Sequence, residues 1–247
     1  MKNVLEVQNI SKRYKNFHLK SINFKLDESN IMGIVGPNGS GKTTTIKIIL
    51  GLINPDKGEV RIFGKKMSDN ETYVKNLIGY VPDENHYPDQ MTPLFIGKMM
   101  SGIYKYWDSK YYNSYLDKYE LPHKQTVGTF SKGMKMKLSL AAALSHHAKL
   151  IILDEPTAGI DLLSRNLLLN EVKTICKTEE MSFLLSTHIP SDLEKIADIL
   201  TIIKNGEMIC SHTIADLKKI NKSMTSLEDI LINIYSKGEE NDLDYLK

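Results

Sequence analysis

Eight residues limit this chain more than any others. "GPNGSGKT", Gly36 to Thr43, follows the apolar run "NIMGIV" and leads into "TTIKIILGL". The stretch fits G-x-x-x-x-G-K-[ST] in the context that pattern needs, a buried strand before it and a helix after it. Glycines there let backbone N–H groups close around phosphates, and the helix N-terminus adds a favourable dipole. Lys42 is expected to reach the β and γ phosphates of a nucleotide, and the Thr43 hydroxyl to bind Mg²⁺.

The segments around the loop fill in the fold. "VLEVQNI" alternates, and so does "HLKSINFKL" from His18 to Leu26, so both read as strands. "GEVRIFG", "LIGYVP", "KLIILD" and "MSFLLST" read as further strands. "KTTTIKIILGL" is expected to be a helix stopped near Gly51. "LLSRNLLLNEVKTI" and "PSDLEKIA" are further helices, and "ILTIIKNGEMIC" is a hairpin with Asn205-Gly206 at its turn. From about Asp83 to His147 the pattern turns helical. Asp108 is a candidate cap for a helix carrying Trp107, Tyr111, Tyr115 and Tyr119 at four-residue spacing, a stripe expected to pack or to meet a partner. Strands alternating with helices imply an α/β core with a mainly parallel sheet, into which the helical stretch is inserted. The tail "SKGEENDLDYLK" is polar and expected to fray.

"LIILDEP", Leu150 to Pro156, supplies the second half of a nucleotide site. Asp154 ends a central strand, where an acid can hold Mg²⁺ through water. Glu155 follows at once, placed to orient or deprotonate an attacking water. Together the two motifs read as a P-loop NTPase. A GTPase would need Asn-Lys-x-Asp for guanine, and the nearest match, Asn221-Lys222-Ser223-Met224, has Met where the acid belongs. A small kinase would need an arginine-rich lid, whereas the insertion here is rich in Tyr and Lys.

With these motifs and four more in order, the chain resembles the ATP-binding subunits of ABC transporters, from about Val4 to Met208. "YVPDE" (Tyr80 to Glu84) is similar to the family's glutamine-loop region, and "FSKGM" (Phe130 to Met134) to its signature. "TAGID" (Thr157 to Asp161) is similar to the loop that crosses between subunits, and "LSTHI" (Leu185 to Ile189) to the switch-histidine segment. The resemblance implies a P-loop NTPase core with an N-terminal antiparallel β subdomain and an inserted helical subdomain. On that reading 1–82 and 148–210 form the ATP-binding core, 83–147 the signature subdomain, and 211–247 C-terminal helices and a polar tail.

The resemblance also assigns roles. Gly36, Asn38, Gly39, Ser40, Gly41, Lys42, Thr43 and Thr44 would bind ATP, with Tyr14 stacking on adenine. Glu155, His188 and Lys42 would be catalytic, with His188 contacting the γ-phosphate. Thr43, Asp154 and Asp83 would serve Mg²⁺. Ser131, Lys132, Gly133 and Met134 would cap the nucleotide of a second ATP-binding subunit, and Asp161 would cross to it. The partners implied are that second subunit, a copy or a homologue, and separate membrane-spanning permease subunits, which places the chain at the cytoplasmic face of a membrane.

Three positions in two motifs depart from the family pattern. Lys132 and Met134 replace a glycine and the glutamine of the commoner Leu-Ser-Gly-Gly-Gln, and this "SKGM" form resembles a branch of bacterial exporters and immunity systems for peptides and drugs. Asp83 stands where glutamine is usual. It is expected to act as a shortened sensor through the metal or a water, with Glu84, or nothing, as the competing occupant of that role.

The bulk properties agree with these readings. A net charge of +2 over 247 residues argues against a dedicated nucleic-acid binder. The two cysteines, Cys176 and Cys210, form no disulfide framework and are expected to be reduced. No run of about 18 apolar residues suggests a membrane span, and "MKNVLEVQNI" lacks the apolar core of a signal peptide. Lys135 and Lys137 are expected to lie on a solvated face. His146 and His147 are expected to complement the dipole at a helix end. A non-transport ATPase acting on ribosomes or DNA is the competing reading. It fits less well, because the chain has a single set of motifs and only about 100 residues between Gly41 and Asp154, too few for a long coiled coil.

Overall fold

The computed structural model describes residues 3–84, 86–221 and 224–237. The polar tail from 238 onward and the middle of the Asn221–Met224 segment lie outside the described residues. Strands β1 (Asn3–Tyr14) and β2 (Phe17–Asp27) form a long antiparallel hairpin. Next come β3 (Ile31–Val35), the phosphate-type loop, α1 (Lys42–Ile49), β4 (Lys57–Ile62), β5 (Lys65–Lys66), α2 (Glu71–Lys75) and β6 (Ile78–Val81). The insertion holds α3 (Pro93–Ile103), α4 (Ser109–Lys118) and α5 (Lys132–Leu144). The chain then alternates through β7 (Leu150–Asp154), α6 (Leu162–Thr178), β8 (Ser182–Thr187) and α7 (Pro190–Ile196). It closes with β9 (Ile199–Lys204), β10 (Glu207–Thr213), α8 (Ile214–Ile220) and α9 (Leu227–Lys237).

The strand order is β5-β4-β1-β2-β10-β9-β3-β8-β7-β6. Five neighbouring strands, β9, β3, β8, β7 and β6, run parallel, and β5, β4, β1 and β2 are antiparallel. β3 and β7 end side by side on either flank of β8, so the loops after them open at one edge of the sheet, where open α/β sheets place their ligands.

Alternation along the parallel strands builds a core on each face. Ile151, Leu153, Phe183 and Leu185 point into the layer formed by the inserted and C-terminal helices, while Leu150, Ile152 and Leu184 point toward α1 and the β subdomain. The β1–β2 hairpin is longer than its alternating stretches because it bends. Asn9 and Ser21 take left-handed φ at register shifts, and Asn9 is tied to Asn23 by hydrogen bonds of 2.7 and 2.8 Å. The β9–β10 hairpin turns at Asn205-Gly206, both at positive φ, as a primed turn requires.

The expected division at residue 210 cuts through β10, which runs on to Thr213. Nor are the C-terminal helices an appendage. Leu227, Ile230, Leu231 and Ile234 of α9 are buried in the same cluster as β8 and α7. Asp108 caps α4 as expected, accepting from the amides of Lys110 and Tyr111 at 2.9 Å. The aromatic stripe beside it is packing: Tyr115 is buried, and Tyr111 and Tyr115 both donate to Glu179 at the end of α6.

The three basic or imidazole positions near α5 differ from expectation. Lys135 is half-buried with its Nζ 3.5 Å from Asp89, and Lys137 is half-buried with its Nζ over the Tyr119 ring. His146 is not a helix-end cation. It is buried, stacked on Tyr104, and its Nε2–H donates to the Ile78 carbonyl at 3.0 Å. Burial pushes its pKa below the usual histidine value, so the ring is neutral.

Candidate functional site

The loop between β3 and α1 has no room for side chains where it turns. A Cβ on Gly36 would lie 2.1 Å from the Ile203 carbonyl oxygen and 2.5 Å from Ser40 Oγ, so only glycine lets the backbone pass. Lys42 is buried at the first position of α1. Its Nζ donates to the carbonyls of Gly36 at 2.8 Å and Pro37 at 3.4 Å, and lies 3.6 Å from Glu155 Oε1.

Glu155 follows β7 at φ +48, the left-handed region that a side chain occupies at a cost of about 1–2 kcal/mol. The strain is held in place from several directions. Its amide donates to the Ser186 carbonyl at 2.9 Å. Its Oε2 accepts from His188 Nδ1–H at 2.8 Å and from the His188 amide at 3.3 Å. One carboxylate thus joins the end of β7 to Lys42 on one side and His188 on the other. A left-handed, non-glycine residue tied to a lysine and a histidine is the kind of strained position that functional sites retain.

Asp154 lies one residue deeper, 5% exposed, with Oδ1 accepting from Ser186 Oγ. Burial is the main reason its pKa is raised, and the charges of Glu155 and Asp83 push the same way. A cation beside it would relieve that energy.

These groups border a cleft of about 440 Å³. It is lined by Asn38 to Thr44, Glu155 and His188, together with Phe17, Asp83 and Ala158. Ser40 Oγ is buried here with no hydrogen-bond partner among the described residues, so the loop has a polar atom still to be satisfied. With Lys42 and the loop amides, it fits a polyphosphate. Among the described residues no group of three His, Cys, Asp or Glu side chains could hold a metal ion alone. A Mg²⁺ bound by Thr43 and Asp154 would therefore complete its shell with phosphate oxygens and water, the usual manner for this cation.

The expected residues divide in two. Asn38, Gly39, Ser40, Gly41, Lys42, Thr43, Thr44, Glu155, His188 and Asp83 meet at the cleft, with Gly36 and Asp154 immediately behind it. Tyr14 does not line it. Its exposed ring sits 6.5 Å from that of Phe17, the residue that does. Phe17 stands three residues after Tyr14, and nothing in the sequence alone marks it for the cleft. The hairpin register, which pairs Tyr14 with Phe17, is what brings it in.

The signature residues and Asp161 do not line the cleft, although Ala158 of the crossing loop does. Ser131 caps α5, its Oγ accepting from the Met134 amide at 3.2 Å, and this helix N-terminus is exposed. Gly133 faces the crossing loop, where an added Cβ would come within 3.7 Å of Ile160 and 3.8 Å of Ser164. Asp161 caps α6 by accepting from the Ser164 amide at 3.0 Å, a bond that lowers its pKa.

Asp83 belongs to both groups. It lines the cleft, and its Oδ1 accepts from Lys132 Nζ at 3.2 Å. Glu84 instead lines a second groove of about 340 Å³, shared by Asp83, Lys132, Lys135 and Phe130. Of the two candidates for the glutamine position, Asp83 is the one that borders the cleft.

Comparison with known proteins bears on this arrangement. Residues 19–158 match the family model described as ABC transporter. The chain is 37% identical over 221 residues to the linearmycin resistance ATP-binding protein LnrL of Bacillus subtilis, covering 87% of this chain and 70% of that protein. It is 32% identical over 228 residues to the bacitracin transport ATP-binding protein BcrA of Bacillus licheniformis, covering 90% and 74%. A solved structure of the ATP-binding subunit of an ABC transporter superposes with a TM-score of 0.85 at 27% identity, covering 94% of this chain and 99% of that one.

Proposed function

The chain belongs to the ABC transporter family as an ATP-binding, ATP-hydrolysing subunit, and from that premise we propose that it drives a separate membrane permease exporting a peptide or drug-like cargo. The observation that carries the catalytic part is the convergence of Lys42, Glu155 and His188 on one cleft behind a loop with an unsatisfied hydroxyl. The export part is supported by the relatives that act in linearmycin resistance and bacitracin transport, and by the "SKGM" signature.

The mechanism follows from what each group binds before ATP arrives. Lys42 rests on the carbonyls of Gly36 and Pro37 and on Glu155. Phosphate oxygens are stronger acceptors than carbonyls, so Lys42 turns to the β and γ phosphates while the loop amides close on them. Glu155 then keeps His188 and faces the cleft, where it accepts a proton from the attacking water. His188 donates to the γ-phosphate or fixes Glu155, and its position at the end of β8 allows either. Mg²⁺, when bound by Thr43 and Asp154, supplies neutralisation of the phosphate charge.

The second site is split between subunits. Ser131, Lys132, Gly133 and Met134 lie at the exposed start of α5 and do not line their own cleft. A helix N-terminus with a hydroxyl, a glycine and a lysine suits a phosphate on a second ATP-binding subunit. Among the described residues no helix is long and apolar enough to cross a membrane, and we assign the transport path to a separate permease. The groove between Asp83 and Phe130 is our proposed seat for a cytoplasmic segment of that permease.

Co-expression with a candidate permease tests the proposal. The complex should bind to membranes, hydrolyse Mg-ATP faster than the free chain, and confer resistance to a peptide antibiotic. High turnover from a strictly monomeric chain, unaffected by any permease, would overturn the split-site reading.

A further inference from the structure

One carboxylate outside the cleft is more deeply buried than any acid bordering it. Asp192, in the first turn of α7, is 1% exposed. A charge so far from water is tolerated only with strong partners, and Asp192 has them on both oxygens. Oδ2 accepts from Thr157 Oγ1 at 2.6 Å, and Oδ1 accepts from Arg165 Nε at 2.6 Å. The same guanidinium reaches Ser191 Oγ at 3.1 Å.

The positions of these partners matter. Thr157 and Arg165 stand four residues before and four residues after Asp161, the last residue of the crossing loop and the cap of α6. Thr157 is also two residues beyond Glu155, and Asp192 is four residues beyond His188. The links between are short and bonded. Ile160 donates to the Thr157 carbonyl, Arg165 to the Asp161 carbonyl, and Asp192 to the Ile189 carbonyl. A single carboxylate therefore pins both roots of the loop to the helix that carries on from His188.

We infer that Asp192 is a positioning residue for ATP hydrolysis: it clamps the crossing loop to the switch-histidine helix, so that Asp161, Glu155 and His188 are set as one unit. The inference rests on the roles proposed above for those three residues. The fold does not need the clamp to keep α6 against α7. Leu169, Val172, Leu193 and Ile196 bury that contact, and Lys173 and Lys195 bridge it outside.

Asp192→Asn separates positioning from folding. The side chain keeps its size and can still accept from Thr157, but it turns an amide toward Arg165 and leaves two donors facing each other. Turnover should fall about 10- to 100-fold, the usual consequence of a small misplacement, while KM for ATP stays within about twofold. Asp192→Glu, which keeps the charge, should recover part of the rate. Thr157→Val should lower kcat in the same direction by less, and it decides the matter if the Asn variant does not fold. A second readout is independent of turnover. In a Glu155→Gln background, the Asp192→Asn chain should need more ATP than its parent to dimerise. Unchanged kcat and unchanged dimerisation in a folded variant would overturn the inference, as would a loss seen wholly in KM. If Glu155→Gln alone fails to dimerise, the split-site reading falls, and the clamp is still judged by the kcat–KM split.

Discussion

The cleft and the signature face handle charge in opposite ways. At the cleft, Lys42 at the start of α1 and Asp154 and Glu155 at the end of β7 are mostly buried, each fixed by at least one partner from another strand or loop. On the signature face, Ser131 and Asp161 are exposed helix caps whose bonds close only the first turn of their own helices. The first region is held in place by bonds within a single chain. The second is a pair of exposed helix N-termini, whose proposed role depends on a second subunit docking there. Catalytic strength and assembly thus reside in different parts of one fold.

That contrast is most directly broken at Glu155. Glu155→Gln keeps the shape but not the proton acceptor, so turnover should fall by about 10²–10⁴-fold. Nucleotide binding should persist, checked by titration with a fluorescent ATP analogue, and wild-type turnover would mean another base. Lys42→Ala removes the one full positive charge in the loop, and a buried charge-assisted contact is worth about 1.5–3 kcal/mol. ATP affinity should weaken about tenfold or more in the same titration. The loss of affinity should appear in the isolated chain, and the loss of turnover in the dimer.

The signature face should behave differently. Ser131→Ala should cost about 1 kcal/mol of helix capping, visible as a lower melting temperature. It should leave ATP affinity in the cleft intact while reducing turnover of the dimer. Smaller still is the Asp83–Lys132 pair, where both side chains are more than a third exposed and solvent screens the contact to about 0–1 kcal/mol. Asp83→Ala should leave ATP affinity nearly unchanged but uncouple hydrolysis from the permease, and Asp83→Gln should be tolerated. Unchanged permease-stimulated turnover in Asp83→Ala across Mg²⁺ concentrations would make Asp83 an ordinary loop acid.

The cleft was legible in the sequence because its residues are contiguous. The loop from Gly36 to Thr44 and the pair Asp154-Glu155 each lie in one short stretch, and a strand before a turn is a local pattern. What escaped is what only folding brings together. Phe17 reaches the cleft through hairpin register, Ser186 reaches Asp154 from the neighbouring strand, and Thr157, Arg165 and Asp192 meet across 35 residues of chain. Lys135 and Lys137 were misplaced for a related reason. Periodicity marks the helix face, but it does not show that Asp89 and Tyr119 pack over that face. The end of the core was set too early, at 210, because β10 continues through polar residues as far as Thr213.

The mildest prediction concerns the joint between the inserted helices and the sheet. His146 is held neutral by burial, so its folded pKa lies below its unfolded value near 6.5. Its contribution to stability is therefore complete above about pH 6.5 and is lost as pH falls through that value toward the folded one. Thermal melts from pH 7.5 to 5.5 should show a decline that is reduced in His146→Gln. Parallel declines in the two proteins would remove His146 from the account.

The same histidine sits at one rim of the sheet. A ten-stranded sheet has two rims, and an unpaired rim invites another molecule to add a strand. Here one rim is a two-residue strand made of Lys65 and Lys66, too short and too cationic to template growth. The other is four-residue β6, whose Ile78 carbonyl is occupied by His146. Acid leaves the Nε2–H donor in place but puts a charge in a buried site, so local opening at this rim, and with it aggregation on acidification, should begin as pH falls below about 6.5.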